Sequence, residues 1–113
     1  VEDAWSNAQR NGIENIEFIA APAEEVLGQL QSVGRSFDLV VVDPPRAGLH
    51  KRVRIALAEL HPPKIIYVSC NPYTLAEDLE YLVAGGYVVE RMQPVDMFPQ
   101  TPHCEVVSEL TIA

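Results

Sequence analysis

Three polar clusters hold the side chains able to do chemistry in this 113-residue chain: Asp43-Pro44-Pro45-Arg46, Ser69-Cys70-Asn71-Pro72, and the run from Asp96 to Glu105. Cys70 stands just before a helix start marked by Asn71, a favoured capping residue, and Pro72, a favoured first-turn residue. The unpaired N–H groups of that first turn favour an anion, which suits a nucleophilic thiolate. Buried free cysteines are also common at strand ends, and position alone favours that structural reading. Asp43 divides evenly between two roles. Its prolines fix the backbone and can aim the carboxylate into a cleft, or the carboxylate can cap a turn and pair with Arg46. Glu105 opens a strand in which Cys104, Val106, Ser108 and Leu110 face one way and Glu105, Val107, Glu109 and Thr111 the other. It either reaches the same rim as the first two clusters or is a solvated edge carboxylate, as Glu109 is read to be. His103 reads as a loop or strand-capping residue and Cys104 as core.

The elements that must position these residues alternate. Val1 to Arg10 reads as the tail of a helix stopped by Asn11-Gly12. Ile16 to Ile19 reads as a short strand, and 23–33 as a helix with Val26, Leu27, Leu30 and Val33 on one face, stopped by Gly34. Phe37 to Val42 is a continuous apolar run of the kind buried in parallel sheets, ended by Pro44-Pro45. A helix over 52–60 turns Val53, Ala56, Leu57 and Leu60 inward, and Ile65 to Ser69 forms the next buried strand. The helix after Asn71 carries Leu75, Leu79, Leu82 and Val83 up to Gly85-Gly86. Tyr87–Met92 and Glu105–Ile112 read as an antiparallel pair closing the sheet edge. The fold class predicted is α/β, a three-layer sandwich in one domain, and adjacent parallel strands would bring Asp43 and Cys70 to the same rim.

Composition excludes several classes. Eight basic residues against sixteen acidic ones argue against a dedicated nucleic-acid-binding module, whose affinity rests on a basic surface. Any grip on RNA phosphates must come mainly from elsewhere. No apolar run approaches the roughly 20 residues of a membrane span, and no signal-peptide pattern opens the chain, so a cytoplasmic protein is expected. Two cysteines make no disulfide framework or zinc pair, and no metal site is expected. Both are expected as free thiols.

Taken together, the clusters resemble the RNA 5-methyluridine (uracil-C5) methyltransferase family of bacterial tRNA and ribosomal RNA enzymes. The resemblance rests on Asp43-Pro44-Pro45-Arg46-Ala47-Gly48-Leu49, and on Tyr67-Val68-Ser69-Cys70-Asn71-Pro72 continuing through Thr74, Leu75, Ala76, Asp78 and Leu79. Its third part is Asp96-Met97-Phe98-Pro99-Gln100-Thr101-Pro102-His103 followed by Glu105. It runs over nearly the whole chain, including Asn7, Asn11-Gly12 and Asn15. It implies a Rossmann-like class I fold that uses S-adenosyl-L-methionine and acts on a uridine of tRNA or rRNA. Cys70 would attack carbon 6 of uracil, and Glu105 would remove the carbon 5 proton. Asp43 would lie between cofactor and target base and orient both. Arg46, Asn71 and Phe98 join Asp43 as implied substrate contacts, Phe98 as a stacking face or a core residue. The target uridine would be flipped into the pocket.

The sequence departs from the family pattern at Pro22, where an Asp or Asn usually faces the cofactor and proline offers no such side chain. The family's first strands, glycine-rich cofactor loop, ribose-binding acid and amino-terminal RNA-binding portions lie outside residues 1–113. The chain is therefore expected to be the carboxyl-terminal portion of a catalytic domain, reaching RNA through those other portions and binding cofactor poorly alone. Self-association through an uncovered strand edge stays open. Two other readings compete. One is a non-catalytic remnant serving as an interaction module. The other is an exocyclic-amino methyltransferase, which shares Asp-Pro-Pro but typically has an aromatic residue where Arg46 stands and needs no cysteine.

Overall fold

The computed structural model describes residues 2–95 and 105–113. Helix α1 (Glu2–Arg10) carries Glu2 and Asp3 in its first turn and Arg10 in its last, each sign matching the helix dipole. It ends in a Schellman closure: Gly12, at φ +67°, donates to Gln9, and Ile13 donates to Ala8. Helix α2 (Ala23–Ser32) ends the same way through Gly34 and Arg35, as the glycine placement predicts.

Strand β1 (Leu39–Val42), helix α3 (Lys51–Leu60), strand β2 (Lys64–Ser69) and helix α4 (Pro72–Ala84) follow in alternation. The chain then closes with β3 (Tyr87–Val95) and β4 (Glu105–Ile112). The sheet order is β1-β2-β4-β3, with β1 and β2 parallel and β4 antiparallel to both β2 and β3. This is the α/β arrangement with an antiparallel carboxyl-terminal pair that the sequence predicts.

Alternation along β2 and β4 divides the sheet. Ile65, Tyr67 and Ser69 of β2 stand level with Leu110, Ser108 and Val106 of β4, and all but Val106 are buried. Against them pack Val53 and Leu57 of α3, Leu75, Leu79 and Leu82 of α4, and Tyr87 of β3, which form the core. The Tyr87 hydroxyl donates to the Pro62 carbonyl at 2.6 Å, so the buried phenol is satisfied. On the other face Leu39 and Val41 stay half exposed or more, at 49% and 60%.

One predicted element is corrected. Residues 16–19 form no strand, and Ile16 and Ile19 are exposed. The physical reason lies in the sheet, which ends at β1 and leaves no ladder beside this segment among the described residues. A single extended segment without a hydrogen-bonding neighbour is not a strand. Phe18 instead meets Trp5 of α1 edge-on, with ring centroids 4.9 Å apart.

Candidate active site

Parallel pairing brings the carboxyl ends of β1 and β2 to one edge of the sheet, with Val42 level with Tyr67. Asp43 follows the first strand and Cys70 the second, so both lie on that edge. Because β4 runs antiparallel to β2, its first residue arrives at the same place. The last β2–β4 pair is Ser69 with Val106, so Cys70, which follows Ser69, and Glu105, which precedes Val106, both adjoin that pair at the same end of the sheet. Cys70 is a half-buried free thiol, and Glu105 is a half-buried carboxylate that pairs across the ladder with Val95 of β3.

The bend that presents Cys70 is built by its neighbours. The buried Ser69 hydroxyl donates to the Asn71 carbonyl at 2.9 Å and accepts the Asn71 N–H at 3.1 Å, folding the chain around the cysteine. The Asn71 side chain then caps α4, its Oδ1 accepting the Tyr73 N–H at 3.0 Å. Its Nδ2 donates to the Arg46 carbonyl at 2.9 Å, and Thr74 Oγ1 donates to the same carbonyl at 3.0 Å. The Asp43–Leu49 loop is thereby fastened to the first turn of α4. No ion pair joins Asp43 to Arg46, and both side chains are exposed.

A second fastening lies deeper. Asp78 of α4 is 3% exposed, and its Oδ2 accepts from both the Leu49 N–H, at 2.9 Å, and the Tyr67 hydroxyl. Its Oδ1 faces Arg54 Nη1 of α3 at 3.4 Å. Burial, and then the hydrogen bond to Asp78, push the Tyr67 phenol above its ordinary range. Gly48 makes the close approach possible. It sits at φ +84°, and a Cβ there would stand 2.9 Å from Asp78 Oδ2 and 3.0 Å from Thr74 Cβ.

Beside this edge, between α2, β1 and the loop after β1, opens a cleft of about 740 Å³. Its walls are mostly apolar, including Ile19, Leu27, Val40 and Val42, and Asp43 and Glu24 bring carboxylates to it. Pro22 holds the capping position of α2 and makes no side-chain cap bond there. Such a cleft, with few polar groups at one end, has the make-up of a small-molecule site. Among the described residues no cluster of His, Cys, Asp and Glu is arranged to hold a metal, and no helix is long and apolar enough to cross a membrane.

A sequence profile of the family described as tRNA (Uracil-5-)-methyltransferase matches residues 1–111. The chain belongs to the tRNA (uracil-5-)-methyltransferase family. It is 52% identical over its full length to an uncharacterized RNA methyltransferase of Enterococcus faecalis, of which it covers 25%. The Pyrococcus abyssi tRNA (uracil-54, C5)-methyltransferase, solved in complex with S-adenosyl-L-homocysteine, superposes with a TM-score of 0.84 at 41% identity. That match covers 98% of this chain and 26% of the archaeal one. A precorrin-6y C5,15-methyltransferase of Geobacter metallireducens shares the fold alone, with a TM-score of 0.69 at 18% identity, over 95% of this chain and 59% of that one. The chain thus spans about a quarter of the length of the curated relatives it matches.

Within this family member, the residues singled out from sequence divide by placement. Asp43, Cys70 and Glu105 come to one edge, with Arg46 and Asn71 in the loop and cap beside them. Phe98, with His103 and Cys104, lies outside the described residues. Asn71 spends both ends of its amide on backbone groups, and Arg46 contributes a carbonyl to the same fastening. The architectural roles of Ser69, Gly48 and Asp78 were missed. For Asp78 a signal existed: on α4 it shares the inward stripe with Leu75, Leu79 and Leu82, where a lone carboxylate demands partners.

Proposed function

We propose that this chain forms the carboxyl-terminal part of the catalytic domain of an S-adenosyl-L-methionine-dependent RNA methyltransferase that modifies carbon 5 of a uridine. Cys70 is the nucleophile and Glu105 the general base. The observation that supports this reading is the strand order, in which β1, β2 and β4 are neighbours and the residues Asp43, Cys70 and Glu105 adjoin the same end of those strands. Family membership and the likeness to the archaeal tRNA enzyme support it.

The chemistry needs two groups on either side of one pyrimidine. Carbon 5 of uracil is a poor nucleophile until a covalent bond forms at carbon 6. The Cys70 thiolate adds there and moves the electron pair toward carbon 5 and the carbonyl beyond it, leaving an enolate. The apolar cleft beside Asp43 fits the flat adenosine end of S-adenosyl-L-methionine, with Asp43 and Glu24 able to accept its hydrogen bonds. When bound, that cofactor supplies the electrophilic methyl group. After methylation carbon 5 carries both a proton and the new methyl. Glu105 takes the proton, the double bond re-forms, and the Cys70 thiolate leaves. Asp43 positions, and Asn71 holds the loop that carries it. Arg46, exposed beside the edge, and Phe98 are the proposed contacts to the flipped base and its backbone. RNA is the partner, and most of its phosphate contacts belong to portions of the longer enzyme outside this acidic chain.

Two variants of the longer protein separate the roles. Cys70→Ser abolishes release of tritium from RNA carrying 5-tritiated uridine. Glu105→Gln also blocks release but lets a methylated covalent RNA–protein species accumulate, because the carbon 5 proton stays in place. Tritium release at the wild-type rate by Cys70→Ser would exclude the covalent route.

A further inference from the structure

We infer that Asp78 is a positioning residue of this site, setting the loop that bears Asp43 against the strand that bears Cys70. The inference rests on the reading above, in which both residues belong to one reaction. Asp78 lies outside the three polar clusters and contacts none of Asp43, Cys70 or Glu105 by hydrogen bond. What it does contact are the three elements that carry or flank them. Tyr67 is in β2, three residues before Cys70; Leu49 ends the Asp43 loop; Arg54 belongs to the helix after that loop. One carboxylate oxygen takes both the Tyr67 hydroxyl and the Leu49 N–H, so strand and loop are held at the separation one oxygen allows. Gly48 completes the joint, since no side chain fits between the loop and Asp78.

The alternatives for this carboxylate are weaker. As a mere structural ion pair it would need only Arg54, whose approach at 3.4 Å is the longest of its contacts. Arg54 is itself incompletely held, with a buried Nε that has no partner, and its guanidinium lies 5.0 Å from the Tyr81 ring centre. The shorter bond to the Leu49 backbone marks the loop as what Asp78 fixes. The fastening at Arg46 by Asn71 and Thr74 holds the loop's middle, and Asp78 holds its end.

Asp78→Asn tests this in the full-length protein. An asparagine has nearly the same shape, but its amide group is a donor. Wherever that amide turns, it meets either Arg54 or the Leu49 and Tyr67 donors. With the loop loosened, kcat for uridine methylation should fall by about 100-fold, the scale of a misplacement of about 1 Å. The dissociation constant of S-adenosyl-L-methionine should rise, because Asp43 shifts, while that of RNA should stay within about twofold, a difference well under one tenfold step. Gly48→Ala strikes the same joint from the other side. The double variant should therefore lose little more kcat than the worse single one, the non-additivity expected of coupled sites. A purely structural Asp78 would lower the melting temperature and leave kcat per folded molecule unchanged, and multiplicative losses in the double variant would equally overturn the inference. If the wild-type protein itself fails to methylate uridine at carbon 5, the functional reading has failed instead.

Discussion

Asp78 stands on the stripe of α4 that also carries Leu75, Leu79 and Leu82, where an unpartnered ion would cost several kcal/mol. Its partners resolve that cost and explain why Tyr67 is a tyrosine. Replacing Tyr67 with Phe removes one of the carboxylate's donors and should destabilise the fold by about 1–3 kcal/mol, read from denaturant midpoints. The substitution has a pH signature as well. Tyr67 and Tyr87 both hold their protons more tightly when folded, chiefly through burial. Above about pH 10, the ordinary phenol range, the unfolded chain therefore binds fewer protons than the folded one. The stability contributed by these phenols is fully present below that pH and falls as pH rises through it. Tyr67→Phe should make the alkaline loss shallower; an unchanged slope would show that the phenol does not titrate in the folding equilibrium. Cys70 illustrates what the residues alone left undecided. Its position before a helix suits a nucleophile and a core thiol alike, and only the strand order brings Glu105 to the same end of the sheet.

At the scale of elements, apolar period and punctuation made α1, α2, α3, α4 and the four strands legible, since Gly12, Gly34 and Asn71-Pro72 end or start helices by local chemistry that needs no distant partner. The segment at 16–19 was not legible by the same route. Its residues favour extended backbone, but a strand exists only where a neighbour supplies the ladder, and sequence pattern does not report neighbours. The cap on α4 has a measurable consequence. Asn71→Ala removes the bond to Tyr73 and the bond to the Arg46 carbonyl, and should cost about 1–2 kcal/mol of stability. Asn71→Asp keeps the cap acceptor and loses only the donor to Arg46, so its loss should be smaller. Equal losses would mean that the cap bond to Tyr73 contributes nothing, and no loss in Asn71→Asp that the loop fastening contributes nothing. In the core, Leu57 is fully buried between α3 and the sheet, and Leu57→Ala should cost about 2–5 kcal/mol.

The whole molecule is acidic, with one sheet face packed by helices and the other holding Leu39 and Val41 half bare. An acidic chain is a poor RNA clamp, which agrees with a role at the chemical step rather than in gripping phosphates. The cleft at Asp43 is lined by β1, which is the edge strand of the sheet among the described residues. Titration calorimetry on residues 1–113 should accordingly detect no micromolar binding of S-adenosyl-L-methionine, and micromolar binding would show that this cleft suffices alone.

In the proposed mechanism Cys70 forms a covalent bond to a uridine whose carbon 5 is then methylated. The measurement that tests it most directly uses the full-length protein and RNA carrying 5-fluorouridine. Fluorine at carbon 5 cannot leave as a proton, so Glu105 has nothing to remove and the cysteine cannot depart. Mass spectrometry should find the peptide containing Cys70 joined to a methylated fluorouridine, only when S-adenosyl-L-methionine is present. A folded, cofactor-bound protein that yields no such adduct, or carries it on another residue, would contradict the account.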